Sequence, residues 1–173
     1  MTTTQMTQTH TSSQVAELAA AVRTVVDPQA DWSETAQLVA TQLREHLPSA
    51  DVLTAEQRLG SSEHYCSHTL HVEPDGSFSI IALVWQPGQL TRIHDHVTWC
   101  VFGVIQGVEH EDLYDADLNL LGSSDNQLGD VSGFAPPGDI HRVHNTSDTT
   151  AISIHIYGTD VTRLGSSVRR FYN

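Results

Sequence analysis

The sequence predicts a mainly β protein, a sandwich or barrel of short strands behind two α-helices. Three observations carry that prediction. The segments "SSQVAELAAAVRTVV" and "DWSETAQLVATQLREHL" repeat apolar residues at helical spacing. From residue 64 onward, β-branched and aromatic residues come in short runs instead. Turn signals at "PDGS", "QPGQ", "GSSDN" and "PPGD" cut those runs at regular intervals.

Taken in order, residues 1–13 are rich in Thr, Ser and Gln, lack hydrophobic periodicity and are expected to form a disordered tail. Residues 14–173 are expected to form a single domain, long enough to bury a sizeable core without disulfide or metal staples. Helices fill about 13–48, and Asp31 with Glu34 has the form of an N-terminal capping box. The β part spans about 64–160, with candidate strands "HYCSHTLHV", "FSIIALVW", "TRIHDHV", "TWCVFGVIQG", "VEHEDLYD", "DVSGFAPP", "HRVHNT" and "AISIHIYG".

Composition narrows the partners. Lys and Arg total 8 against 21 acidic residues, a formal net charge of −13, which argues against a nucleic-acid surface or an anionic membrane face. Small molecules fit better. Cys66 and Cys100 cannot make a secreted-type disulfide framework, and the start "MTTTQMTQTHTSSQ" has neither a basic nor an apolar leader region. The expectation is a cytoplasmic, reduced protein. No run approaches the roughly 18 apolar residues of a membrane-spanning helix.

Two groups of residues carry chemistry. In "TRIHDHVTWC", His94 and His96 lie two apart on a strand and point the same way. That is the start of a metal site or a pair of surface histidines on an edge strand. In "AISIHIY", Ser153, His155 and Tyr157 share one face while Ile152, Ile154 and Ile156 fill the other. An inward polar row needs hydrogen bonds or a use, an outward one is a solvated face, and helices covering the sheet would want isoleucines outside. His144, three residues past His141, falls on the opposite face, and His110 between Glu109 and Glu111 reads as solvated. Asp95 points away from its two histidine neighbours and reads as structural, hydrogen-bonding near the barrel rim.

The stretch "GQLTRIHDHVTWCVFGVIQG", with Gly88, His94, His96, Cys100 and Gly107, resembles the first motif of the cupin superfamily. "PPGDIHRVHN", with Pro136, Gly138, His141 and Asn145, resembles the second, although Gly129 sits one residue too far upstream. The resemblance implies a cupin-type double-stranded β-helix, a small jelly-roll barrel, with His94, His96 and His141 converging on one metal ion. The usual fourth ligand, a glutamate, falls at Cys100. With the Ser153, His155 and Tyr157 row added, residues from about 63 to 170 resemble the thiol dioxygenases of the cysteine dioxygenase and 3-mercaptopropionate dioxygenase family.

That resemblance implies one mononuclear Fe(II) on the three histidines and a catalytic row of Ser153, His155 and Tyr157. Three neutral imidazoles leave the ion its full charge, so a thiolate is a welcome further ligand. The implied reaction adds both atoms of O2 to the sulfur of a small thiol to give a sulfinate, from L-cysteine or alternatively 3-mercaptopropionate. Cys100 and Tyr157 match residues that form a thioether in mammalian-type enzymes, but the His96 to Cys100 spacing is one residue shorter here, and a free thiol filling the barrel wall is the other reading. The family position for a carboxylate-binding arginine or glutamine falls at Ser67. Arg163, Arg169 and Arg170 are therefore the candidates for holding a substrate carboxylate, unless "SSVRRFYN" is an exposed basic tail. A metal-binding cupin without turnover and a zinc cupin with isomerase or hydrolase activity are the competing classes.

Overall fold

The structure is a computed structural model describing residues 3–172, with side chains from residue 13 onward. Helices α1 (Thr3–Arg23) and α2 (Trp32–Glu45) come first, then a 3-10 turn at Ala50–Val52 and the short α3 (Ala55–Leu59). The strands are β1 (Cys66–Val72), β2 (Ser79–Trp85), β3 (His94–His96), β4 (Cys100–Gln106), β5 (Val108–Tyr114), β6 (Leu120–Gln127), β7 (Val131–Phe134), β8 (His141–His144), β9 (Ala151–Tyr157) and β10 (Val168–Phe171). A single turn of helix, α4 (Val161–Leu164), precedes β10. The strands form two five-stranded antiparallel sheets, ordered β1-β2-β9-β4-β7 and β10-β3-β8-β5-β6.

Helix α1 begins at Thr3, so helical backbone occupies most of the stretch expected to be a disordered tail. Its first half, "TTQMTQTHTSSQ", holds no glycine or proline to stop a helix nucleated in the periodic segment after it. Residues 1 and 2 of that expectation lie outside the described residues. Asp31 caps α2, its side chain accepting from the N–H groups of Ser33 and Glu34, which is the Asp31 half of the expected capping box, while a complete one closes the start of α3 between Thr54 and Gln57. No helix among the described residues is long and apolar enough to cross a membrane.

What places the site is the way β2 and β9 are buried on both faces. Ile80, Ala82 and Val84 of β2 and Ile152, Ile154 and Ile156 of β9 pack with Leu18 and Val22 of α1 and Val39 and Leu43 of α2. The alternate residues Ile81, Leu83 and Trp85 turn the other way and cluster with Cys100 and Tyr157 between the sheets. The helices thus cover the outer face of the first sheet, and the Ser153, His155 and Tyr157 row faces the barrel interior.

Two strands escaped the sequence reading. β6 is almost wholly exposed and pairs only with β5, so "LLGSSDNQ" shows no apolar alternation, and its polar centre reads as a turn. β10 pairs only with β3 and is short and basic, which reads as a tail.

Helix α2 comes close because two glycines lie beneath it. A Cβ added at Gly133 would sit 2.8 Å from the Ala36 carbonyl oxygen, and one at Gly103 would sit 2.9 Å from Leu47 Cδ1. Replacing Gly133 with alanine therefore forces helix and sheet apart. The expected outcome is a loss of about 1–3 kcal/mol in denaturant unfolding, typical of overpacking.

Candidate metal centre

β3 is three residues long, and it pairs with β8 through His94 opposite His141. Both side chains enter the barrel, and His96, two residues on, follows them. All three are 2–6% exposed. One ring nitrogen from each lies within 4.8 Å of the others, and Nε2 of His94 is 3.2 Å from Nε2 of His141. Phe134 packs against the rings of His141 and His96, with centroids 4.9 and 5.5 Å away.

Each imidazole is oriented from behind. Nδ1 of His94 lies 2.8 Å from the Arg92 carbonyl oxygen, that of His96 3.1 Å from Asp139 Oδ2, and that of His141 2.6 Å from Glu111 Oε1. Asp139 also accepts the backbone N–H of His96 at 2.8 Å, which ties the ligand loop to the strand. Burial, and then the neighbouring histidines, lower His94 and His141 to about 3, so both rings are neutral in neutral solution. Burial raises Glu111 to about 7 in the absence of a cation, and positive charge on the far side of His141 would favour its ionised form.

With Nδ1 donating to oxygen, Nε2 of His94 and of His141 both present lone pairs, and at 3.2 Å these repel unless a cation lies between them. Two nitrogens at a metal–nitrogen distance of about 2.1 Å reach that spacing at an angle of roughly 100°. The donor set fits a metal ion.

Beside the histidines runs the row from β9. Ser153 Oγ lies 2.9 Å from His155 Nε2, and His155 Nδ1 lies 3.3 Å from the Tyr157 hydroxyl. Trp85 Nε1–H donates to Ser153 Oγ at 3.4 Å, and Phe102 stacks on the His155 ring at 5.7 Å. Burial, then the three cluster histidines, lower His155 to about 3. The Tyr157 phenol is pushed up, first by burial and then by Cys100, and stays protonated. Cys100 pairs with Tyr157 across β4 and β9, and its thiol is pushed up by burial and next by Glu111.

A cavity of about 430 Å³ joins these groups, running from His94, His96 and His141 past His155 and Tyr157 to Ser166 and Ser167. Ser67 lines it too, as the alignment of motifs suggests. The arginines do not. All eight basic residues are arginine, and none is among the cavity's lining residues. Arg163 and Arg169 are exposed, and Arg170 Nε donates to Asp95 Oδ2 at 2.7 Å. None of the three arginines expected to hold a substrate carboxylate lines the cavity in this structure, and Arg170 is held by that ion pair. Asp95 is 3% exposed and needs a donor, so it takes Arg170 and the Tyr172 hydroxyl and fixes β10 along β3. In that register Ser166, Ser167 and Val168 are what the C-terminal segment contributes to the cavity.

Of the other histidines, His144 pairs with His110 away from the cluster, and the His110 ring contacts Asp125 at 2.7 Å and Asp112 at 3.1 Å. Sequence reasoning missed Glu111 and Asp139. Their only traces in the sequence are the offset of two between Glu109 and Glu111 in "VEHEDLYD", which does not say which way they face, and an aspartate two before His141.

The model of the family described as "Cysteine dioxygenase type I" matches residues 6–166. A protein named "Cysteine dioxygenase type 1" from Danio rerio is 31% identical over 94 residues, 49% of this chain and 47% of that protein. The match thus spans about half of that relative's length. Among solved structures, a protein with a double-stranded β-helix domain from Klebsiella pneumoniae aligns with a TM-score of 0.50 at 16% identity, covering 61% of this chain and 85% of its own. A cupin superfamily protein from Desulfitobacterium hafniense aligns with a TM-score of 0.49 at 16% identity, covering 65% and 89%. The likeness to the first of these concerns the fold alone, a double-stranded β-helix. With the family model covering nearly the whole length, the chain belongs to the cysteine dioxygenase type I family.

Proposed function

We propose that the chain is a thiol dioxygenase that holds one Fe(II) ion on His94, His96 and His141 and converts a small thiol to its sulfinate. The observation that carries this reading is the hydrogen-bonded row Ser153, His155 and Tyr157 lying inside the barrel beside three convergent imidazoles. A cupin that only stores or senses a ligand has no need of such a row, and a zinc hydrolase would want a carboxylate base on the cavity wall, where none of the lining residues is acidic. The reaction balances without an external reductant: the S–H compound and O2 give the sulfinic acid, sulfur losing the electrons that dioxygen gains. When bound, the ion would supply positive charge that keeps the thiol ionised and Lewis acidity that favours its reaction with O2.

The chain's own groups divide the remaining work. Arg92, Asp139 and Glu111 hold the three rings in the tautomer that offers Nε2. Tyr157 keeps a proton in the cavity wall, and His155, oriented by Ser153, sets where that proton points. Cys100, placed opposite Tyr157, can lock the ring by a thioether, O2 being the oxidant that takes the two electrons and two protons as the S–H and ring C–H bonds give way to C–S, visible as the loss of two hydrogens in the intact mass. A cytoplasmic, reducing compartment suits the free thiols Cys66 and Cys100 and a thiol substrate.

L-Cysteine is the substrate we propose, with 3-mercaptopropionate as the alternative. Either carboxylate would meet hydroxyl groups such as Ser67, Thr69 and Ser167 in this cavity instead of a guanidinium. A charge-assisted hydrogen bond contributes about 1.5–3 kcal/mol, so its absence limits discrimination.

The test is oxygen uptake by the iron-loaded protein offered L-cysteine, 3-mercaptopropionate and cysteamine, with the sulfinate confirmed by mass. Uptake is expected, and cysteamine should lie within about tenfold of L-cysteine in kcat/KM because no charged group reads the carboxylate. Ser67→Arg should lower KM for the two carboxylate thiols by about tenfold and leave cysteamine unimproved. Iron-loaded protein that oxidises none of the three would refute the proposed reaction. Separately, Glu111→Ala and Asp139→Ala should each weaken metal binding about 10–100-fold in a chelator competition, since each removes the acceptor behind a ligand.

A further inference from the structure

One buried ionisable group has no part in the function proposed above. Glu109, on β5, is 1% exposed, and neither carboxyl oxygen makes a hydrogen bond of ordinary geometry. It lies across the barrel beside Ser153 and Trp85, the inner end of the polar row. A carboxyl buried without a partner is costly, and an ionised one far more so.

We propose that Glu109 is a positioning residue that ends the Ser153, His155 and Tyr157 row and, through its own proton, sets the direction in which the whole row donates. This rests on the reading of the row as catalytic.

The argument is a count of protons. Ser153 Oγ already accepts from Trp85 Nε1–H, leaving it one further lone pair and one proton of its own. If Glu109 carries its proton, it can donate to Ser153, Ser153 then donates to His155 Nε2, and His155 Nδ1–H donates to the Tyr157 oxygen. The phenolic proton is then free to point into the cavity. If Glu109 is ionised, Ser153 turns its proton toward the carboxylate, the stronger acceptor. His155 must then carry its proton on Nε2 and give it to Ser153, and bare Nδ1 takes the Tyr157 proton away from the cavity. One proton at the far end therefore decides the tautomer of His155 and the aim of Tyr157.

Burial raises Glu109 to about 7, above its ordinary 4.5, against hydrogen bonding with Ser153 and with nearby Glu111 adding to the rise. The groups that act on it are Glu111 on β5, Ser153 on β9 and Trp85 on β2, and Asn126 of β6 is its pairing partner. His155 and His141 titrate near 3 and stay neutral through this range, so only Glu111, at about 7, competes. Substitution at Glu109 separates the two carboxyls.

The experiment compares the parent with Glu109→Gln and Glu109→Leu. In the parent, kcat for the oxidised thiol should fall about tenfold or more between pH 6 and pH 8.5, as the row reverses. In both variants, which are neutral at every pH, that fall should shrink to less than about twofold. A second readout needs no activity. The folded chain keeps this proton up to about pH 7, whereas the unfolded chain releases it near 4.5, so its contribution to stability is complete below pH 4.5 and is lost as pH rises through 7. The Tm of the metal-free parent should therefore drop more between pH 5 and pH 8 than that of Glu109→Gln. If the glutamine variant keeps the parental fall in kcat, or the parental slope of Tm against pH, the proposal is overturned. An inactive parent with a Glu109-dependent Tm slope would instead count against the dioxygenase reading and support the buried proton.

Discussion

His94 and His141 meet nitrogen to nitrogen at 3.2 Å in a space almost closed to solvent, and much of the barrel is arranged around making that contact tolerable. Neutral rings are the first condition, since two imidazolium ions at that distance would repel with nothing to screen them. Committed Nδ1 protons are the second. They come from three unrelated parts of the chain: a carbonyl just before β3, an aspartate in the loop before β8, and a glutamate on β5. Each oxygen holds a ring plane, and the ring planes together define the point at which a cation relieves the lone pairs.

An interior this polar is affordable because apolar burial happens elsewhere. The isoleucines of β9 and the matching residues of β2 face α1 and α2, and that layer contains most of the hydrophobic core. The same strands can then spend their inward positions on Ser153, His155 and Tyr157. The alternation that makes a strand two-faced thus couples stability to chemistry: a one-residue slip of β9 would put isoleucines in the cavity and the polar row under the helices. Gly103 and Gly133, which let α2 sit close, belong to the same arrangement, since they keep the covering layer tight.

How much of this was legible depends on sequence distance. His94 and His96 declare themselves by an offset of two, and Ser153, His155 and Tyr157 by the same period, because a strand carries its own face pattern. His141 came into view only through the resemblance of its motif. Glu111 was hidden among neighbours as polar as itself. Nothing in "VEHEDLYD" says that Glu109 and Glu111 face inward, because the strand's outer face is covered by its own polar pairs, His110 with Asp125 and Asp112 with Arg142. β6 and β10 were illegible for a related reason: edge strands hold their place by backbone pairing and one or two side-chain ties, and neither leaves a hydrophobic period. For the arginines, nearness to the cavity in sequence says nothing about which partner takes a guanidinium, and Asp95 takes that of Arg170.

That capture has a consequence for the electrostatics of the site. Acidic groups stand behind the histidines at Glu111 and Asp139, with Glu109 beyond Ser153, while the arginines are held at the outer surface or in ion pairs there, such as Arg142 with Asp112 and Arg170 with Asp95. Around the cavity the fixed charge is therefore negative or neutral, and the proposed ferrous ion would be its main positive charge. Recognition in such a site concentrates on the atom that reaches the ion. A sulfur anion would be attracted strongly, and whatever trails behind it would meet the hydroxyl groups of Ser166 and Ser167, which accept many tails and insist on none. Selection by sulfur with tolerance in the tail is the behaviour this distribution of charge favours. It follows from where one aspartate, buried on the outward side of the ligand strand, found its counter-ion.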